Sequence, residues 1–192
     1  MIENYYNGTY QELADKVKEK VSQRRFNHIQ AVVKYIEKLA QQNNVDVDMA
    51  KVAAWTHDYA KELPDEIFLE AIGDYNLDEN LKEWGNPIWH GVVGSKIVER
   101  DLGITNPEIL LAIEQHTTGD KQMSDLSKIL FMADFLADGR QFDNLEELRE
   151  LTDKNIDDGI RAQLSDSIKS LIDRNLKIHP KTIEAYNYWI EK

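Results

Sequence analysis

Apolar positions recur along this chain every three or four residues, the period of a helix with one buried face, and no stretch sustains the alternation of a strand. Thr9-x-x-Glu12 forms a capping-box pattern ahead of Leu13, Val17 and Val21. A second helix is predicted from about Arg25 to Gln41, with Ile29, Val32, Val33, Ile36, Leu39 and Ala40 inward. A third begins near Asp46 or Asp48 and carries Met49, Val52, Ala53 and Thr56 towards His57-Asp58. Pro64 reads as the first-turn proline of a short helix through Ile67, Phe68 and Ile72. Asn86-Pro87 and Asn106-Pro107 repeat a start signal. The first opens one helix with His90, Val93, Ile97 and Val98, closed by Gly103; the second runs through Ile109, Leu110 and Ile113 to His116. Ser124 caps a helix with Leu126, Ile129, Leu130 and Ala133, two or three acidic helices follow from about Leu145 to Lys177, and His179-Pro180 leads into a last one ending near Trp189. The fold class is all-α. We expect one domain over residues 1–192, with a core at about 25–140 and the helices of 141–192 packed against it.

Several polar residues interrupt these apolar stripes. His28, His57-Asp58, His90, His116 and Asp134 each lie within or at the end of a predicted helix, and four of the chain's five histidines are in the set. One histidine on an apolar face is more often a hydrogen-bonded core residue than a ligand. Four of them with two aspartates change that balance, because buried charge without a partner is costly and one metal ion serves them all. Asp134 is the sharpest case, the only charge in Ile129-Leu130-Phe131-Met132-Ala133-Asp134-Phe135-Leu136. It sits late in its helix, where the macrodipole disfavours an anion, so capping does not explain it. Imidazole and carboxylate donors without thiolate suit iron, manganese or zinc.

Composition narrows the function. Hydrophobic residues make up 42% and charged residues 30%, as in ordinary globular proteins. No apolar run approaches the roughly 18 residues of a membrane span. The start Met1-Ile2-Glu3-Asn4-Tyr5 lacks the regions of a secretory signal, so the expected location is the cytoplasm. Cysteine is absent, which removes disulfides and thiolate metal sites. A net charge of −12 with no basic stretch argues against nucleic-acid binding. An anionic small substrate would have to be drawn by a metal and a few placed cations.

The pattern resembles the HD-domain phosphohydrolase superfamily, with its His…His-Asp…Asp ligands. Arg25-x-x-His28, His57-Asp58-x-Ala60-Lys61, His90-Gly91, His116-Thr117-Thr118-Gly119 and Ala133-Asp134 with Gly139-Arg140 look like its YqeK-type branch, bacterial symmetrical diadenosine tetraphosphate hydrolases. The resemblance spans Arg25 to Arg140, and His179-Pro180-x-Thr182 also resembles that branch. One departure is Ala137-Asp138 before Gly139-Arg140, where relatives commonly place an acidic residue and then proline.

The resemblance implies hydrolysis of a dinucleotide into two ADP, with His28, His57, Asp58 and Asp134 as iron ligands. Asp58, Lys61, His90 and His116 would be catalytic, the two histidines facing the phosphates or a second, weaker metal. Arg25, Lys61, Glu62-Leu63-Pro64, His90, His116, Thr117, Arg140 and His179 would line the nucleotide site. Arg25 alone reads as readily as a surface neighbour of Arg24; its place one turn before His28, on the same face, draws it to the site. Alternatives are another nucleotide substrate on the same fold, or a non-catalytic nucleotide sensor, which the complete ligand set disfavours. A homodimer is left open. Gly91 and Gly94 are expected to let the His90 helix approach a neighbour, since a phosphate-loop reading lacks its Gly-Lys-Ser/Thr ending. The four tryptophans default to core packing, with Trp89 placed to touch a base.

Overall fold

The structure is a computed structural model that describes residues 2–139, 142 and 144–192, all-α among those residues. Its helices are α1 (Tyr10–Lys18), α2 (Gln23–Gln42), α3 (Val47–Thr56), α4 (Asp65–Asp74), α5 (Asn86–Val92), α6 (Gly94–Leu102), α7 (Pro107–Gln115), α8 (Asp125–Leu136), α9 (Leu145–Lys154), α10 (Ile156–Asp173) and α11 (Pro180–Ile190). Short 3-10 turns occupy Ile2–Asn4 and Glu79–Glu83. No helix is long and apolar enough to cross a membrane among the described residues.

Local chemistry accounts for the helix boundaries. The Thr9–Glu12 capping box is formed in both directions, and Ser22, Asp46, Asn106 and Ser124 each accept a backbone N–H of the first turn of the helix they precede. Gly103 closes α6 at φ 68°, a left-handed position that costs glycine nothing.

Three boundaries depart from expectation. The helix predicted through His90 to Val98 is two, with a break at Val93. Close packing on both sides explains it. A Cβ on Gly91 would lie 2.8 Å from Thr117 Cγ2, and one on Gly94 3.3 Å from Ala60 Cβ, so the segment bends to fit two neighbours. α3 ends at Thr56, so His57-Asp58 lies on tight turns beyond the helix. There the Tyr59 N–H donates to Thr56 O and the Lys61 N–H to Asp58 O, each reaching back only three residues. Pro64 caps α4 from outside, one position earlier than expected.

The centre of the molecule is α2 against α3 and α8, with α7 packed on α3 and α8. Ile29, Val32, Ile36, Val52, Ala53, Ile109, Ile113, Ile129 and Met132 are fully buried there. The acidic helices fold back onto this centre, α10 lying on α8, α9 and α11. One apolar cluster joins Leu13 to Trp189. The polar residues of interest emerge where α2, the turn after α3, α7 and α8 meet.

Candidate metal and phosphate site

Four chain segments aim nitrogen and oxygen atoms at one point. His28 projects from the second turn of α2, His57 and Asp58 from the turn after α3, Asp134 from the last turn of α8, and His116 caps the end of α7. His28 Nε2 lies 2.9 Å from Asp134 Oδ1 and 3.7 Å from Asp58 Oδ2. His57 Nε2 lies 3.4 Å from Asp58 Oδ2 and 3.9 Å from Asp134 Oδ1. The opposite oxygen of Asp58 faces His90 Nε2 at 3.5 Å and His116 Nε2 at 3.9 Å. Asp58 therefore stands between two histidine pairs.

The hydrogen bonds on the far side of three rings fix which nitrogen faces inward. Nδ1 of His57 lies 2.7 Å from Ala54 O, that of His116 2.7 Å from Ile113 O, and that of His90 2.6 Å from Asn86 O. A carbonyl can only accept, so each Nδ1 carries the hydrogen and each Nε2 presents a lone pair. Nε2 of His28, His57 and His116 is buried without a hydrogen-bond partner. Buried acceptors left bare beside carboxylates are what a cation would satisfy. Three overlapping groups place their donor atoms within 4.8 Å of one another: His28 with His57 and Asp58, His57 with His116 and Asp134, and Asp58 with His90 and His116. The donor set fits a divalent metal ion.

Electrostatics agree. Burial opposes charge on Asp58, but His57, His90 and His116 overcome it and hold its carboxyl well below the usual range. Burial also opposes a proton on His57, yet Asp58 and Asp134 outweigh it and raise that pKa. The same negative potential that attracts a proton to His57 attracts a metal cation. Burial, then His116 and Lys61, push His90 down to about 3; burial and His57 push His116 down to about 4. Both are neutral at neutral pH.

Cations ring the cluster. Arg25 donates from Nη1 to Asp58 Oδ2 at 2.7 Å, and its Nε is buried and unpartnered. Lys61 Nζ is 3.0 Å from His90 Nε2, and Asn86 Nδ2 donates to Lys61 O at 2.9 Å. Arg24, Arg25 and His28 line a recess of about 340 Å³ with Asn27, Asp138 and Gly139.

Other expected site residues lie elsewhere. Both Glu62 oxygens accept from Ser22, Oε1 from the hydroxyl at 2.8 Å and Oε2 from the backbone N–H at 2.5 Å, so this side chain ties the start of α2 to the turn after α3. Leu63 packs on the core, and Pro64 is exposed. Thr117 adjoins His116 and packs on Gly91, with a buried, unpartnered Oγ1. His179 caps α11 and its ring lies 4.6 Å from that of Trp84, on the wall of a 580 Å³ cavity that also includes Val92, Glu114 and Lys181. Arg140 lies outside the described residues.

Of the four tryptophans expected to pack in the core, Trp89 does so, whereas Trp84 lines the His179 cavity, a placement that sequence reasoning missed. Trp89 is 4% exposed and donates its indole N–H to Leu81 O at 2.6 Å, a core role. The one signal for Trp84 is its place immediately before Gly85-Asn86-Pro87, where the chain enters α5.

Donors of this kind, drawn from helices around a His-Asp pair, define a class. Residues 25–138 match the HD domain, and the chain belongs to that family. Within it, the chain is 29% identical to the symmetrical bis(5'-nucleosyl)-tetraphosphatase of Bacillus subtilis, covering 91% of this chain and 94% of the relative. It is 30% identical to the protein of the same description from Staphylococcus aureus, covering 90% of each. A crystal structure from Clostridium acetobutylicum, described as a predicted HD superfamily hydrolase involved in NAD metabolism, superposes with a TM-score of 0.87 at 31% identity, over 96% of this chain and 98% of that one.

Proposed function

We propose that this protein hydrolyses diadenosine tetraphosphate symmetrically into two ADP, with a divalent transition metal held by His28, His57, Asp58 and Asp134. The observation that carries the reading is the set of bare, buried Nε2 atoms facing Asp58 and Asp134 beside Arg25. The relatives from Bacillus subtilis and Staphylococcus aureus support the choice of reaction by their described activity. We assign iron, with manganese and zinc as ions the same donors accept. When bound, such an ion lowers the pKa of water and polarises a phosphoryl oxygen.

The chain's own residues do the rest. Arg25 can turn part of its guanidinium from Asp58 to a phosphate, and Lys61 adds a point charge beside His90. His90 and His116, neutral with Nε2 lone pairs inward, accept hydrogen bonds from water or protonated phosphate oxygens. Water adds its hydroxyl to one of the two central phosphorus atoms, the bond from that atom to the central bridging oxygen breaks, and a proton ends on the departing oxygen. Each half leaves as ADP. The chain's charge of −12 repels the substrate at long range, so these local cations carry recognition.

The test is product analysis by anion-exchange chromatography on a nucleotide panel, with protein loaded with iron or manganese. ADP alone from diadenosine tetraphosphate is expected. ATP with AMP in equal amounts, or brisk mononucleotide hydrolysis without dinucleotide turnover, overturns the reading.

A further inference from the structure

A symmetrical dinucleotide has two nucleosides, so an enzyme that cuts it at the centre has both to place. Besides the His179 cavity, a cavity of about 690 Å³ borders two of the segments that carry site residues. Thr117, next in sequence to His116, and Phe135, next to Asp134, both line it. Its remaining wall comes from α10 and the approach to α9. The volume is within the usual range for a small-molecule site.

The lining suits a purine nucleoside. Phe135 and Phe142 stand with ring centroids 4.9 Å apart at 31°, giving an apolar aromatic wall for a base. Asp166 accepts from Asn144 Nδ2 at 3.1 Å and retains acceptor capacity for an exocyclic amine or ribose hydroxyls. Ser170 adds a hydroxyl, and the exposed Arg174, with no ion pair among the described residues, offers positive charge. Thr117, which follows His116 and lines the cavity, has a buried Oγ1 that lacks a hydrogen-bond partner. An aromatic wall, a carboxylate, a guanidinium and a residue with an unsatisfied hydroxyl thus line one space, two of whose lining residues are chain neighbours of His116 and Asp134.

We propose that this cavity binds the second nucleoside of a dinucleoside polyphosphate, so that the enzyme holds its substrate at both ends. The inference rests on the activity proposed above and deepens it. Anchoring both ends measures the phosphate chain: with four phosphates the central bridge falls at the reacting position, and with one nucleoside missing the register is held from one end only.

The experiment compares kcat/KM for diadenosine tetraphosphate with that for adenosine 5'-tetraphosphate, which has the same phosphates and one nucleoside. The wild type is expected to prefer the dinucleotide. In Phe142→Ala that preference should fall by about 5- to 100-fold, the effect of removing one base-stacking partner, with metal content unchanged. Asp166→Asn should lower it less. A preference that survives Phe142→Ala in folded, metal-loaded protein, or is absent from the wild type, overturns the subsite. If the wild type yields no ADP from the dinucleotide, it is the proposed reaction that fails. Adenosine binding, followed by contacts between adenosine protons and the Phe142 ring in NMR, then decides the cavity by itself. Binding lost in Phe142→Ala supports it, and no contact with Phe142 overturns it.

Discussion

Asp134 shows what a single residue can carry. It is the one charge in an apolar helical run, it faces His28 at 2.9 Å, and helix-end electrostatics work against it. His57→Ala or Asp134→Ala should remove bound metal and activity together, read by elemental analysis and turnover on the same preparation; full metal occupancy in Asp134→Ala would refute the ligand assignment. His90 and His116 lie on the other oxygen of Asp58, outside that set of four. Replacing either with alanine should cut turnover by roughly 10²-fold while metal is retained, as losing an electrostatic or acid–base group does. Acidity adds a check. Because neighbouring carboxylates raise the His57 pKa above 6.5, a proton competes with the metal for Nε2 as the pH falls. Metal affinity should weaken on acidification, measured by competition with a chelator.

At the scale of elements, most of the framework is written in local signals. Thr9-x-x-Glu12, Ser124 and the two Asn-Pro pairs mark helix starts because each satisfies or removes an orphan first-turn donor, a matter of a few neighbouring atoms. The break at Val93 was not legible, since it depends on Thr117 and Ala60, distant in sequence. The same holds within the site. Residue type and apolar surroundings single out His28, His57, Asp58 and Asp134, whereas the turn of Glu62 towards Ser22, the burial of Trp89 and the packing of Trp84 against His179 are tertiary facts. Gly159 gives a test at this scale. It lies inside α10, where alanine would gain about 1 kcal/mol of helix propensity. A Cβ there would collide with Thr152 of α9 and lie 3.0 Å from Met132 Cε of α8. Gly159→Ala should therefore destabilise the protein by about 1–3 kcal/mol net, seen as a lower midpoint in urea, because overpacking outweighs propensity. An unchanged or higher midpoint would show that the three helices can move apart freely.

For the whole molecule, the site is also a junction. The donors proposed for the metal come from α2, the turn after α3 and α8, and none of these segments is a neighbour of all the others in sequence. An ion held by them ties distant parts of the chain, and its binding free energy adds to stability. Stripping the metal with a chelator should lower Tm by several degrees, restored by adding the ion back and absent in His57→Ala. Equal Tm with and without metal would mean that the helices hold the cluster at no gain from the ion.

His57 and His116 have a second attachment with a longer reach. Each ring hydrogen-bonds a carbonyl in the last turn of the helix it follows, Ala54 of α3 and Ile113 of α7. Those carbonyls are among the groups a helix end leaves unsatisfied, so each histidine is part of its helix's termination as well as of the site. A lineage under no pressure to keep the chemistry would still be penalised for mutating either one, because the fold would loosen with the loss. Inheritance of these two positions is therefore insured twice, and their persistence in a descendant would not by itself prove that the descendant is still an enzyme.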